Sequence, residues 1–409
     1  MKGKTINIFA GYDFKSRYFK KEDFEKAIKD AIKNLQKKLG DKFTLQLIEQ
    51  QNIESFEFVG EFIRKSLENA AISIFELSDR NPNVTFELGY SLGISKYTFE
   101  QDNGYNVIIQ NEKISPRDTI SDLLGRFIIT YDFESDYSNQ KSKNKYKNLV
   151  KTIEQELKRK FDSLLNDDRF LKRMTWKLYE EDVSVICPYI PPKDQKRFWE
   201  NAALAEYGDF NSVYETNIFL KSVLGCNVKY FHCKEAQNQA QKDLLYGNLV
   251  LIGGPMWNNY IHQFVEEYHI PLKYVWSEDE RVEDYIKDTI NGKEYHTQGK
   301  RNNGKNKKII VNDFGIFAVL PNPFDEDKVI ILINGITSLG GLGVVRAFTE
   351  SRVSSHNCKL IVENIGLNDY FVVLVESDIR WNEFPHPKKI SKSHIFAYSR
   401  ETNRWRHIK

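Results

Sequence analysis

Between residues 5 and 135, short apolar runs alternate with stretches of helical repeat. This alternation constrains the fold more than any other feature of the chain. "TINIFAGY", "FTLQLIEQ", "AISIFEL", "YNVIIQN" and "RFIITYDF" each have the length and apolar content of a buried strand. "KKEDFEKAIKDAIKNLQKKLG" follows the first, with Phe24, Ile28, Ala31, Ile32 and Leu35 at helical spacing and Gly40 as a stop. "SFEFVGEFIRKSLENA" predicts a second helix, and the residues after Asn81 a third. Strands separated by helices in this rhythm predict a parallel sheet with helices on both faces.

The rhythm resumes near Val183. "VSVICPYI", "NVKYFHC", "NLVLIGGPMWNN" and "KVIILINGITSLGGLGVVRAFTE" supply strands, the last two running into glycine turns and helix starts. "KIIVNDFGIFAVLPNPF" reads as a hairpin-forming insertion and "YFVVLVESDI" as a late strand. The expected fold class is therefore α/β with two α/β domains. Residues 1–135 form the first and residues 183–409 the second. Residues 136–182 serve as a linker with a connecting helix, whose stripe is Leu149, Val150, Ile153, Leu157 and Phe161.

A chain of 409 residues suits two such domains. A formal net charge of +2 gives no bulk drive toward nucleic acid or membrane. Four scattered cysteines, with no CxxC pair, fit a reducing cytoplasm and argue against a zinc site or disulfide framework. The first residues lack a signal-peptide pattern, and no apolar run spans a bilayer, so the expected location is cytoplasmic.

The third strand leads into "SDRNPNVTFELGYSLGISK". Asn81 can cap the helix and Pro82 fits its first turn. Glu87 then lies at the carboxyl-end edge of the sheet, where open α/β sheets bind ligands. Helical spacing places Asn83, Glu87, Tyr90 and Ser91 along one wall and gives Val84, Leu88 and Leu92 to the core. Gly89 and Gly93 leave room for close packing. A carboxylate at such an edge can hold ribose hydroxyls or stabilise an oxocarbenium-like sugar. The competing reading is an exposed helix glutamate without a role.

"INIFAGYDF" followed by "ISIFELSDRNPNVTFELGYSLGISK" resembles the bacterial TIR-like family, relatives of Toll/interleukin-1 receptor domains and, more distantly, of nucleoside 2-deoxyribosyltransferases. The resemblance covers roughly residues 4 to 135. It implies a TIR/flavodoxin-like parallel sheet and makes Glu87 the catalytic carboxylate. It places Ala10, Gly11, Tyr12 and Asp13 in the loop bordering the nucleotide, with Asp79, Asn83 and Tyr90 lining the same cleft. The sequence departs from the family at Tyr12-Asp13-Phe14, where many TIR domains carry a Ser-rich turn, and this leaves substrate choice open.

The second half is expected to be Rossmann-like. If its glycine-bearing strands are neighbours, Gly253, Gly254 and Asn258 face Gly335, Thr337, Ser338, Gly340 and Gly341 across one crevice. Backbone N–H groups at the helix starts would then offer a site for an anionic or nucleotide-like ligand, aided by the Lys-rich 299–308 run. The alternative is tight strand-to-helix turns with no ligand. Neither a Walker lysine nor a dinucleotide fingerprint is present. His262 and His269 lack a third ligand, Cys226 and Cys233 read as packing residues, and no metal is expected. Trp257 and Tyr260 read as rim packing.

The resemblance, with Glu87 at the sheet edge, implies an enzyme that hydrolyses NAD⁺ as substrate, without a cofactor. In the resembled group, such effectors of bacterial antiphage defence are switched on by assembly, which implies a homo-oligomer activated through the second domain by a ligand or partner protein. Two readings compete with it: a nucleoside or nucleotide N-glycosidase or deoxyribosyltransferase, and a non-catalytic nucleotide-binding signalling module.

Overall fold

The fold is given by a computed structural model. It describes residues 5–40, 43–48, 56–98, 105–114, 128–133, 140–178, 181–188, 207–233, 244–276, 283–301, 308–365, 369–380 and 384–408. The chain is α/β and divides into two compact units, the first running to Phe170 and the second beginning at Leu171.

In the first unit β1 (Thr5–Gly11), α1 (Lys21–Leu39), β2 (Thr44–Leu47), α2 (Phe56–Asn69), β3 (Ile72–Glu76), α3 (Pro82–Thr98), β4 (Asn106–Asn111), β5 (Ile128–Tyr131) and α4 (Gln140–Leu164) follow in order. The strands are all parallel, in the order β2-β1-β3-β4-β5. This is the flavodoxin-like order, whose direction of winding reverses between β1 and β3. The apolar stripe of α1 is buried at each expected position. Leu149, Val150, Ile153, Leu157 and Phe161 of α4 are buried as well, and α4 packs on α1 inside this unit. The helix therefore completes the layer over the sheet, and residues up to Phe170 belong to the first unit.

α5 (Asp168–Trp176) crosses the boundary and delivers Trp176, fully buried, against Phe317 of the second unit. There β6 (Asp182–Cys187), α6 (Tyr207–Ser222), β7 (Asn227–His232), β8 (Asn248–Ile252) and α7 (Asn259–Glu267) lead to a small antiparallel sheet. That sheet is β9 (Leu272–Val275), β10 (Tyr285–Asp288) and β11 (Glu294–His296). β12 (Gln298–Arg301), β13 (Lys308–Pro321), β14 (Val329–Gly335), α8 (Ser338–Thr349) and α9 (Ser351–Asn364) come next. β15 (Tyr370–Arg380), β16 (Phe384–Pro387), β17 (Ile395–Ser399) and β18 (Arg404–His407) close the unit.

The large sheet runs β18-β17-β15-β13-β14-β8-β6-β7. Its β14-β8-β6-β7 part is parallel, and the rest is antiparallel. Only the parallel part matches the Rossmann-like expectation. "KIIVNDFGIFAVLP" does form a hairpin, with β14, but it is not an insertion: it is the central strand β13, bonded to β14 on one side and β15 on the other. Both of its faces are covered, which explains its near-continuous apolar run.

Candidate functional site

Asn81 accepts a hydrogen bond from the Asn83 amide at 2.9 Å and starts α3, with Pro82 in the first helical position. Val84 and Leu88 pack into the core beside Phe9 and Phe75. Glu87, one turn on from Val84, turns toward the end of β1. Its carboxylate is not exposed but buried, at 6% accessibility, and Oε2 has no hydrogen-bond partner. A Cβ built on Gly11 would lie 2.5 Å from that oxygen and 3.0 Å from the Phe75 ring. Only glycine at position 11 therefore leaves the space the carboxylate uses. Gly11 ends β1 and α3 follows β3, so Glu87 stands at the point where the sheet order reverses. Burial, with nothing to compensate the charge, pushes its pKa up to about 7.

The remaining first-site residues divide between scaffold and rim. Tyr12 is buried among Phe14, Phe19 and Phe24, and its hydroxyl donates to Glu25 at 2.5 Å. Its ring therefore belongs to the packing under the β1–α1 loop. Asp13 braces the same loop by accepting from the Lys15 amide at 2.8 Å. Asp79 reaches the loop from β3: it accepts from the Arg17 amide at 3.3 Å and pairs with the Arg17 side chain at 3.1 Å. The β1–α1 loop is thus tied to the start of the helix that carries Glu87. Asn83 is exposed on the first turn. Tyr90 lies on another face, stacked on Phe86 and donating to Glu68 of α2 at 2.9 Å. Ser91, by contrast, is buried below Glu87 and donates to Asn106 at 2.8 Å. Nothing among the described residues packs on Gly89 or Gly93.

A second buried carboxylate, Glu76 at the end of β3, also has its pKa pushed up to about 7 by burial. The two are chemically different. Glu76 Oε1 accepts from the Ser78 amide at 3.1 Å, from the Ser78 hydroxyl, and from the Tyr131 hydroxyl at 3.0 Å. Ser78 in turn accepts from the Asn111 amide at 2.7 Å. This network staples the ends of β3, β4 and β5. The signal for it in the sequence is slight: a lone glutamate closing the apolar run "ISIFE".

In the second unit β8 and β14 are indeed neighbours, with Ile252 beside Ile333. The helix start after β14 is nevertheless already filled. Asp313 of β13, fully buried, accepts from the Thr337 hydroxyl at 2.5 Å and from the Phe314 amide at 2.7 Å. The Gly340 and Thr337 amides also bond it, while burial raises its pKa to about 7. A Cβ on Gly340 would stand 2.7 Å from the Phe314 carbonyl oxygen, and one on Gly335 would strike the Gly340–Gly341 backbone. Gly335 and Gly340 serve close packing of β13, β14 and α8 around an internal carboxyl group, and Gly341 lies beside Ser212 of α6. Ser338 is covered by Gly208 of α6. The anion site expected at Gly335, Thr337, Ser338, Gly340 and Gly341 is thus occupied by the chain's own carboxylate.

The other half of that crevice lies between β6 and β8, where the order of the parallel strands reverses. Gly253 has φ +105° and touches Pro188. Asn258 is fully buried and donates to the Ile186 and Ile252 carbonyls at 3.2 and 3.1 Å, holding the two strand ends together. Among the described residues nothing lies over Gly254. Of the Lys-rich run, residues 302–307 lie outside the described residues. Cys226 and Cys233 are buried, and Tyr260 is core. Among the described residues no cluster of His, Cys, Asp or Glu could hold a metal, and no helix is long and apolar enough to cross a membrane.

No family model matches the chain, and no curated protein matches it. Among solved structures it is similar to a "Putative sugar binding protein" from Salmonella typhimurium LT2, at 10% identity. That likeness spans 64% of this chain and 74% of the other with a TM-score of 0.22.

Proposed function

We propose that the first unit is a TIR-like NAD⁺ glycohydrolase with Glu87 as its essential carboxylate. One observation carries this reading: a buried carboxylate oxygen with no partner, at the carboxyl edge of a flavodoxin-like sheet and at its point of reversal. A fold does not keep an uncompensated carboxylate for stability, since burial without a partner is unfavourable. It suits a site where the compensating positive charge arrives with the substrate or develops in the transition state.

In the proposed reaction the bond between the ribose C1′ and the nicotinamide nitrogen breaks. Its electron pair leaves with the ring, which departs neutral. The positive charge then sits on the ribose ring as an oxocarbenium ion, facing the Glu87 carboxylate. Water adds its oxygen to C1′ and releases a proton, giving ADP-ribose. The Asp79–Arg17 tie holds the β1–α1 loop, with Gly11 at its base, against the helix that presents Glu87. The second unit would license this chemistry in response to a trigger, as antiphage effectors of the resembled group do.

Incubation of the purified chain with NAD⁺, and separately with nucleosides, tests the reading. Nicotinamide release from NAD⁺ that is lost in Glu87→Gln supports it. Base release from nucleosides alone favours a nucleosidase or transferase, and no release from either leaves a binding module.

A further inference from the structure

α6 is amphipathic the wrong way round. Over its first three turns the buried face consists of Gly208, Asp209, Ser212 and Thr216, set closely against the start of α8. The outward face carries Tyr207, Phe210, Tyr214 and Ile218, at 52, 62, 55 and 46% accessibility. These four recur every three or four residues and form one stripe along the helix. A surface helix ordinarily buries its large apolar side chains and exposes its small polar ones. The small face has its own explanation, because Gly208 is what allows the close approach to Ser338. The aromatic face has none among the described residues of the unit.

The stripe has a second part. Past Ile218, the helix borders a groove of about 590 Å³ lined by Phe219, Val223, Phe384 and Pro385, with the Glu215–Arg346 ion pair on its wall. Phe384 is 40% exposed there. The amino-terminal half of α6 therefore offers aromatic knobs, and its carboxyl-terminal half offers an apolar hole.

We infer that α6 is a homotypic interface, on which a second copy of this chain packs its own α6 antiparallel about a two-fold axis near Tyr214. In that arrangement Phe210 and Tyr207 of each copy enter the groove beside Ile218 of the other, so one surface satisfies itself twice. The five exposed groups all lie between 40 and 62% accessibility, so no single residue dominates the patch. With aromatic side chains of roughly 150–250 Å² each, the five exposed groups amount to roughly 500 Å² per copy. Two copies would cover roughly 1,000 Å², the size at which specific interfaces begin. Arg346 and Glu215 on the groove wall already meet each other at 2.6 Å, so closure strands neither of these two charges. The inference is independent of the proposed chemistry, because self-association is read without substrate.

Sedimentation velocity on the full chain at micromolar concentration tests it. The wild type is expected to be dimeric, and the Phe210→Glu/Tyr214→Glu double variant to weaken the dimer roughly a hundred-fold or more. Thermal melts establish that the variant is folded. If it is not, Tyr214→Cys gives a second reading: a residue beside the axis lies opposite its own copy and forms an intermolecular disulfide on mild oxidation. Lys113→Cys, in the first unit, serves as the control that does not. A monomeric wild type, a folded double variant that dimerises as well as wild type, or no more cross-linking by Tyr214→Cys than by the control would each overturn the assignment.

Discussion

Replacing Glu87 by glutamine should stabilise the protein at alkaline pH while removing its activity. The folded-state pKa of Glu87 is about 7, against an ordinary 4.5. Below about pH 4.5 both folded and unfolded states hold the proton, and the group has no effect. Between 4.5 and 7 the unfolded chain gives up the proton that the folded chain keeps, so stability falls as pH rises. Above 7 the deficit is complete: a difference of this size corresponds to about 3 kcal/mol. Roughly 2.5 kcal/mol of that falls between pH 5 and pH 8. A buried amide carries its own desolvation penalty, but that penalty is the same at both pH values and cancels in the comparison. The assay is a pair of thermal melts on wild type and Glu87→Gln at pH 5 and pH 8. For a unit of this size, the variant should gain about 5–10 °C on wild type between the two conditions. The wild type will still lose stability with pH through Glu76 and Asp313, so the difference between the proteins is the quantity to read. If it is the same at both pH values, Glu87 ionises freely and the argument from an uncompensated buried charge fails.

The same substitution should lower nicotinamide release by roughly two decades or more, by analogy with removing an electrostatic stabiliser; turnover within a few-fold of wild type removes Glu87 from the chemistry. In the wild type, kcat/KM should rise with pH and level off above about 7, because only the ionised carboxylate opposes the developing cation; a profile flat from pH 5 to 8 contradicts this. Gly11→Ala should reduce activity sharply with a smaller effect on melting, since its methyl group takes the place of Glu87 Oε2; wild-type rates would show that the carboxylate does not act from this position. Gly340→Val should unfold the second unit by driving into the Phe314 carbonyl and Asp313, whereas Gly254→Val, which meets nothing among the described residues, should melt as wild type does; paired melts of the two variants decide it.

Much of the first unit is legible because its strands are sequential and its signals local. The apolar spacing of Phe24, Ile28, Ala31, Ile32 and Leu35 finds the buried face of α1, and Asn81-Pro82 finds the start of α3. The position of Glu87 follows from the same local pattern. Its burial does not, because that depends on Gly11, which arrives from a distant strand. Tyr90 shows the limit of helical spacing: a residue three on from Glu87 can share its wall or face α2, and the hydrogen bond to Glu68 decides for α2. In the second unit the hairpin of β13 with β14 is legible, but the central place of β13 is missed because its other partner, β15, comes two helices later in the chain. Asp313 is missed for a related reason: its partner Thr337 is 24 residues away. A lone aspartate in the apolar strand "IIVNDFGIFAVL" was the available sign, since an acid there needs donors from somewhere.

β18 ends the large sheet with its polar groups toward solvent. Trp405 turns inward, its indole nitrogen donating to the Tyr268 carbonyl at 2.8 Å, while Arg404 and Arg406 stand exposed and Arg406 pairs with Asp369. A strand in this position has open backbone donors and acceptors and can recruit a strand from any neighbouring chain. Two arginines on a four-residue edge place like charges side by side whenever two such edges approach. Stacking of one sheet onto another through β18 is thereby discouraged, which protects the protein from fibrillar aggregation when it is crowded.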